Sequence, residues 1–320
     1  MTSAVRQVYM VLSPRSLPYA HHALDSLLRN SVEALNLHLI TDSDPDKEVL
    51  AEKLVALQPN ARHRWSVVAE AELADREADM FASYPNLRAF RRGHPCWRKV
   101  TDPMLLSDPG EELVLLDPDL YFPNEFRFEQ TPATGLLLMW QKPNCLLPPA
   151  VVSAAISAKI ALAHHVDIGV SYWRAGRDLE WVDWLIGRLG GASLPRMMHI
   201  EAIVWSAIAM REGGGYLDPI LWSCWHRTQQ KRVLRKFGVS GMHILRAERW
   251  AHMKCFHAGG EAKWWLPDAK AAGMLDPGRR LLDAGRVMPF VELTPAQYGR
   301  EQSAKQMLRR LGYYRLFASS

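Results

Sequence analysis

Short, continuous apolar runs alternate along the chain with longer stretches whose apolar residues recur at helical spacing. Val8–Leu12 is the first such run and reads as a strand; Ala23, Leu24, Leu27 and Leu28 then mark one face of a helix. Leu37–Ile40 is a second strand, ending at Thr41 and Asp42. Asp44 and Pro45 supply an N-cap and a first helical position for a face of Val49, Leu50, Leu54 and Leu57. Trp65–Ala69 makes a third strand. This βαβαβ opening has the order of the nucleotide-binding half of a doubly wound sheet. Further strands are predicted at Leu113–Leu116, Gly135–Trp140, Val166–Trp173 and Met253–Phe256, and helices at Pro149–Ala163, Leu179–Leu189 and Glu201–Arg211. No internal repeat or low-complexity tract breaks the pattern.

The run Leu113–Leu116 leads directly into Asp117-Pro118-Asp119-Leu120-Tyr121-Phe122. An apolar run this short reads as a buried strand, and α/β sheets place their ligands at the C-terminal ends of such strands. Paired carboxylates at the rim of a dry core repel each other and raise each other's pKa. A hard divalent cation, Mn²⁺ or Mg²⁺, relieves that repulsion and favours carboxylates together with phosphate oxygens. A solvated turn around Pro118 is the plainer alternative.

A second apolar stretch runs into His257-Ala258-Gly259-Gly260-Glu261-Ala262-Lys263-Trp264-Trp265. His257 is a candidate third metal ligand beside Asp117 and Asp119. Gly259 and Gly260 let backbone N–H groups approach an anion, and Lys263 brings a point charge to a phosphate. Taken singly, each residue has an ordinary structural explanation; together they describe one metal–diphosphate site.

These two segments resemble those of GT-A fold glycosyltransferases, most closely the glycogenin and lipopolysaccharide galactosyltransferase family (family 8). In that family a strand-end Asp-x-Asp and a later His-x-x-Gly-x-x-Lys-Pro-Trp segment hold the metal and the nucleotide diphosphate. His257, Gly260, Lys263 and Trp265 fall on the second pattern, with Trp264 where the family has Pro. The resemblance extends over residues 5–265 in the order of elements, with close matches only in short segments. It implies an α/β fold with a central, mostly parallel mixed sheet flanked by helices. The catalytic domain would span residues 1–270, with 1–125 as the nucleotide-binding half, 126–270 as the sugar and acceptor half, and 271–320 as a helical tail.

The same resemblance assigns further residues. Asp167, two residues before Gly169, would accept a hydrogen bond from a sugar hydroxyl, with Gly169 leaving room for the ring. Arg98 or Lys99 would neutralise the donor's phosphates or touch its base. Glu201 stands nearest to the family's acidic residue lining the donor sugar, although no Gln follows it; a helix-start acid is the alternative. The implied activity is a metal-dependent transfer, with retention, from a nucleotide-diphosphate sugar, UDP-linked, to a saccharide, lipid-linked or protein acceptor. Two rivals remain at this point: a non-catalytic nucleotide-sugar-binding protein, and a haloacid dehalogenase-type phosphatase using Asp117 as nucleophile.

With 320 residues, 48% of them hydrophobic, the chain can bury one large core. Its net charge of +5 suits an anionic donor or membrane surface, and no dense basic run with base-stacking residues points to nucleic acid. Cys96, Cys145, Cys224 and Cys255 are scattered, form no C-x-x-C pair, and read as the reduced, mostly buried thiols of a cytoplasmic protein, not as a zinc site or disulfide framework. No apolar run approaches a membrane span, and the N-terminus reads as lacking a signal peptide. Lys231–Lys236 and Lys305–Phe317 are basic with interspersed apolar residues; a solvated helical face is the default reading, and peripheral contact with the inner membrane face the alternative. His21-His22 and His164-His165 lack ligand partners at metal spacing, and most of Trp181, Trp184, Trp222 and Trp225 read as core. Lys254, ahead of the glycine loop, is expected to tolerate truncation.

Overall fold

The structure, a computed structural model, describes residues 5–57, 60–142, 145–225, 229–275 and 280–312. Its strands are β1 (Arg6–Val11), β2 (Leu35–Thr41), β3 (Arg64–Ala69), β4 (Glu112–Leu116), β5 (Leu120–Tyr121), β6 (Leu136–Trp140), β7 (Val166–Arg174), β8 (Gly214–Tyr216), β9 (Trp222–Cys224), β10 (Cys255–His257) and β11 (Met288–Pro289). An eight-stranded sheet has the order β11-β8-β6-β7-β4-β1-β2-β3, and β5, β10 and β9 form a second sheet of three. Strands β1 to β4 pair in parallel, as do β6 and β8, while β7 runs antiparallel to both β4 and β6.

β4 lies near the middle of the large sheet, and its side chains divide between the two faces as the two-residue period requires. Leu113 and Leu115 join the core that includes Val100, Leu185 and Ile208 of the helices Arg98–Leu106, Leu179–Leu189 and Ile200–Glu212. Val114 and Leu116 join the opposite core with Leu24, Leu27 and Leu50 from the helices Leu17–Asn30 and Asp44–Ala56. Burial on both faces explains why β4 reads as an unbroken apolar run.

Several boundaries differ from the sequence reading. Ser43, not Asp44, caps the second helix, its hydroxyl accepting from the Asp46 amide at 3.3 Å, so that Asp44 and Pro45 open the first turn. The helix from Pro149 stops at Ser157, because Lys159 adopts φ 57° and the chain beyond it bonds elsewhere, the Ala163 amide donating to the Ser206 carbonyl. β10 starts at Cys255, two residues later than expected. The segment after residue 271 is woven into the body: the Gly285 amide donates to Glu129, β11 pairs with β8, and Tyr298 is buried in the helix Pro295–Arg310. In the basic segments, Lys231 pairs with Glu248 and Arg235 with Glu261; of the end segment, residues 313–317 lie outside those described.

Lys254 overturns one expectation. It is fully buried, its ammonium donating to Glu129 and to the Arg127 carbonyl, both at 2.8 Å, beneath the Trp222 ring. Glu129 also accepts from Trp222 Nε1 at 2.9 Å. This buried polar knot ties β9, the 127–129 segment and residue 285 together, so truncating Lys254 removes a structural partner.

Candidate active site

The small sheet builds the site. After β4 ends, the Asp117 amide donates to the Gly169 carbonyl of β7 at 2.8 Å, and the chain turns into β5. β5 pairs antiparallel with β10, Leu120 opposite His257, and the Ala258 amide donates to the Asp119 carbonyl at 2.9 Å. The C-terminal end of a central strand is thereby stitched to the segment carrying the histidine. His257 Nε2 stands 3.2 Å from Asp119 Oδ1 and 3.9 Å from Asp117 Oδ2. Asp117, Asp119 and His257, predicted together as ligands, do converge.

The other ring nitrogen faces away from that pair. His257 Nδ1 lies 2.9 and 3.0 Å from the two oxygens of Asp167, whose Oδ1 also accepts from the Gly169 amide at 2.9 Å. Asp167 is only 2% exposed, so its carboxylate is committed to these partners. A Cβ on Gly169 would sit 2.6 Å from His257 Nδ1, which shows that the glycine makes room for the imidazole. Gly259 touches the ring from the other side, where a Cβ would come 3.1 Å from Nε2, and Gly260 opens the turn Gly260–Trp265 with φ 68°.

Electrostatics follow from this sandwich. Burial opposes a charge on His257, but Asp167 and Asp119 outweigh it and hold the imidazole's pKa well above its ordinary range. Burial likewise opposes the Asp167 carboxylate, yet His257 brings it down to about 2. Asp119 is lowered by the same partner against its burial.

Lys99 and Glu201 form a second layer. Lys99 Nζ sits 2.6 Å from Asp117 Oδ1 and 3.0 Å from Glu201 Oε1, all three side chains being buried. Burial lifts Glu201 to about 8 although Lys99 opposes the rise, and burial with the neighbouring Asp119 raises Asp117 against the pull of Lys99. Lys99 itself stays protonated despite its burial, because Asp117 and Glu201 face it. Lys99 thus meets carboxylates here and does not reach out for a phosphate. Arg98 points elsewhere, donating to the Thr41 carbonyl at the end of β2 at 3.0 Å and pairing with Asp42 just beyond it and with Glu70, which follows β3.

Lys263 is half-buried with its ammonium 4.6 Å from the centre of the Tyr19 ring and 5.8 Å from that of Trp264, and its charge is felt by Asp119. Trp264 is exposed and meets Tyr19 edge-on. Tyr19, in the first turn of the helix Leu17–Asn30, was not singled out in the sequence. Cys224, read from the sequence only as a buried thiol, is register partner to His257 across the β9–β10 pair, and burial pushes its thiol up to about 12.

A divalent cation fits this arrangement. The donor atoms of Asp117, Asp119 and His257 lie within 4.8 Å of one another. Asp119 Oδ1 is buried and receives no well-directed hydrogen bond, the condition an ion would relieve.

No protein-family model and no curated protein matches the chain. Among solved structures, the apo form of mouse xyloside xylosyltransferase 1 is similar, with a TM-score of 0.50 over 81% of this chain and 99% of that one, at 14% identity. The galactosyltransferase LgtC, solved with donor and acceptor sugar analogues, is similar with a TM-score of 0.44 over 84% of this chain and 92% of its own, at 12% identity. Core-mannan synthase A from Aspergillus fumigatus, in its Mn/GDP form, gives a TM-score of 0.39 over 65% and 73%, at 10% identity. The first of these likenesses gives the chain the GT-A fold, with the central mixed sheet flanked by helices that the sequence implied.

Proposed function

We propose that the chain is a glycosyltransferase that takes a sugar from a UDP-linked donor with the aid of Mn²⁺ or Mg²⁺ and transfers it with retention of configuration. The observation that carries this reading is the convergence of Asp117, Asp119 and His257 at the C-terminal end of a central strand. Residues 1–125 would bind the nucleotide, and the sugar half would follow over 126–270. The haloacid dehalogenase alternative is set aside with the GT-A fold.

In this reading Asp117, Asp119 and His257 hold the cation, which supplies positive charge against the diphosphate as the bond to the sugar breaks. Asp167 orients His257: by accepting from Nδ1–H it turns Nε2 toward Asp119, where it would take the cation once its own proton leaves. This role replaces the sugar-hydroxyl contact expected from the sequence. Lys99 holds Asp117 in place and balances its charge, and Glu201 completes that support from the start of its helix. Lys263 leaves its aromatic seat to meet the departing diphosphate, and Gly259 and Gly260 open the loop for it. Arg98 shapes the end of β2, on the nucleotide side.

Among the described residues no helix is long and apolar enough to cross a membrane. We place the protein in the cytoplasm, where its free cysteines stay reduced, with the helix Gln229–Lys236 near an anionic membrane face. The acceptor is a saccharide, free, lipid-linked or on a protein. A panel of nucleotide-sugars, scored by release of nucleotide diphosphate with Mn²⁺ and with chelator, tests the activity. Metal-dependent release from one UDP-sugar is the expected result; absence of release from every donor, with nucleotide still bound, would leave a binding protein instead.

A further inference from the structure

A second set of ligands shares His257. Cys224 and His257 are direct register partners in the parallel β9–β10 pair, so their side chains leave the small sheet side by side. Asp167 reaches the same place from β7. The donor atoms of Asp167, Cys224 and His257 all lie within 4.8 Å of one another, and Gln141 Oε1 stands 3.7 Å from the Cys224 sulfur at the edge of the set. Asp167 and Cys224 are buried, and His257, with 12% of its side chain exposed, forms the only partly open side of the trio.

Thiolate, imidazole and carboxylate, with a fourth position for an amide oxygen or water, are the ligands of a tetrahedral Zn²⁺ site; a hard cation prefers oxygen. We propose that Asp167, Cys224 and His257 form a Zn²⁺ site that competes with the metal site on the other side of the same imidazole. On binding, the thiol proton of Cys224 and the Nδ1 proton of His257 leave to solvent; no group is oxidised or reduced. His257 then keeps its proton on Nε2, facing Asp119, and has no lone pair left for a cation beside Asp117 and Asp119. One histidine therefore serves a hard cation through Nε2 or a soft one through Nδ1, and Zn²⁺ acts as an antagonist of the metal in the proposed transfer. The antagonism rests on the functional reading above; the Zn²⁺ site itself does not.

The test is direct binding to the full chain without nucleotide. Zn²⁺ affinity is measured by calorimetry, and Co²⁺ is used as a spectroscopic stand-in whose bond to a thiolate gives a near-ultraviolet charge-transfer band. Cys224→Ser and Cys224→Ala, both checked for unchanged melting, should lose that band and bind Zn²⁺ at least about 10–100-fold more weakly, with Mn²⁺ affinity retained. Asp119→Ala should do the reverse, losing Mn²⁺ while keeping Zn²⁺ and the band. Equal Zn²⁺ affinity in the wild type and both Cys224 variants, or loss of Zn²⁺ in Asp119→Ala with no thiolate band in the wild type, would overturn the proposal. A protein that turns over no nucleotide-sugar but shows this pattern would refute only the transferase reading.

Discussion

Replacing Asp167 with Asn separates two roles that one sequence motif permits. The change is isosteric, and the amide oxygen can still accept one hydrogen bond, from His257 Nδ1 or from the Gly169 amide. What disappears is a buried negative charge 2.9 Å from the imidazole. Losing such an orienting partner costs metal affinity by about 10–100-fold, or roughly 1.4–2.7 kcal/mol. The same charge also helps hold a proton on His257, whose pKa lies well above the usual range, and a cation must expel the Nε2 proton before it binds. In the wild type, Mn²⁺ affinity should therefore rise about tenfold per pH unit up to that raised pKa. In Asp167→Asn the imidazole loses its proton at a lower pH, so the two effects oppose each other in acid and only the loss of orientation remains in base. The deficit of the variant should widen as pH rises from 6 toward 9 (on the order of none to 100-fold). Glu201, lifted to about 8, titrates in the same range but faces Lys99 and not His257. Mn²⁺ titrations by electron paramagnetic resonance across this range measure both curves. A variant with unchanged Mn²⁺ affinity and a raised donor KM would refute the reasoning and return Asp167 to a sugar hydroxyl.

Lys263→Ala should lower kcat by about 10²–10³ with little change in donor affinity, and Lys263→Arg should rescue it partly; equal small effects in both would confine Lys263 to its aromatic seat on Tyr19. Lys254→Ala strands the buried Glu129 without its cation and should cost about 3–5 kcal/mol in urea unfolding, whereas a loss below about 1 kcal/mol would mean the pair is dispensable. Gly169→Ala drives a methyl group into the His257 ring and should weaken Mn²⁺ binding while the protein still folds; full Mn²⁺ affinity would show that the loop yields at no cost. Binding to anionic vesicles should fall as salt rises, and because Lys231 and Arg235 are already paired with acids it should be weak; none at low salt would remove the membrane contact.

The nucleotide-binding half was legible because β1 and β4 are apolar runs, buried over Val8–Val11 and Leu113–Leu116, and the helix Leu17–Asn30 buries one apolar face. Asp117, Asp119 and His257 could be read as partners from their ligand chemistry, with a family resemblance behind it; nothing in their spacing predicts the β5–β10 pairing that brings them together. Strands of two or three residues, such as β5, β9 and β10, carry too few positions to show a period. That is why the pairing of Cys224 with His257 and the structural role of Lys254 were missed. The pairing of Lys99 with Glu201 spans 102 positions, and that of Asp167 with His257 spans 90. At such separations a charge can be recognised in the sequence while its partner cannot. Asp167 shows the consequence most clearly. A strand acid two residues before a glycine suits a sugar hydroxyl and a histidine equally well, and the choice is made by a ring from a different sheet that fills the space the glycine leaves open.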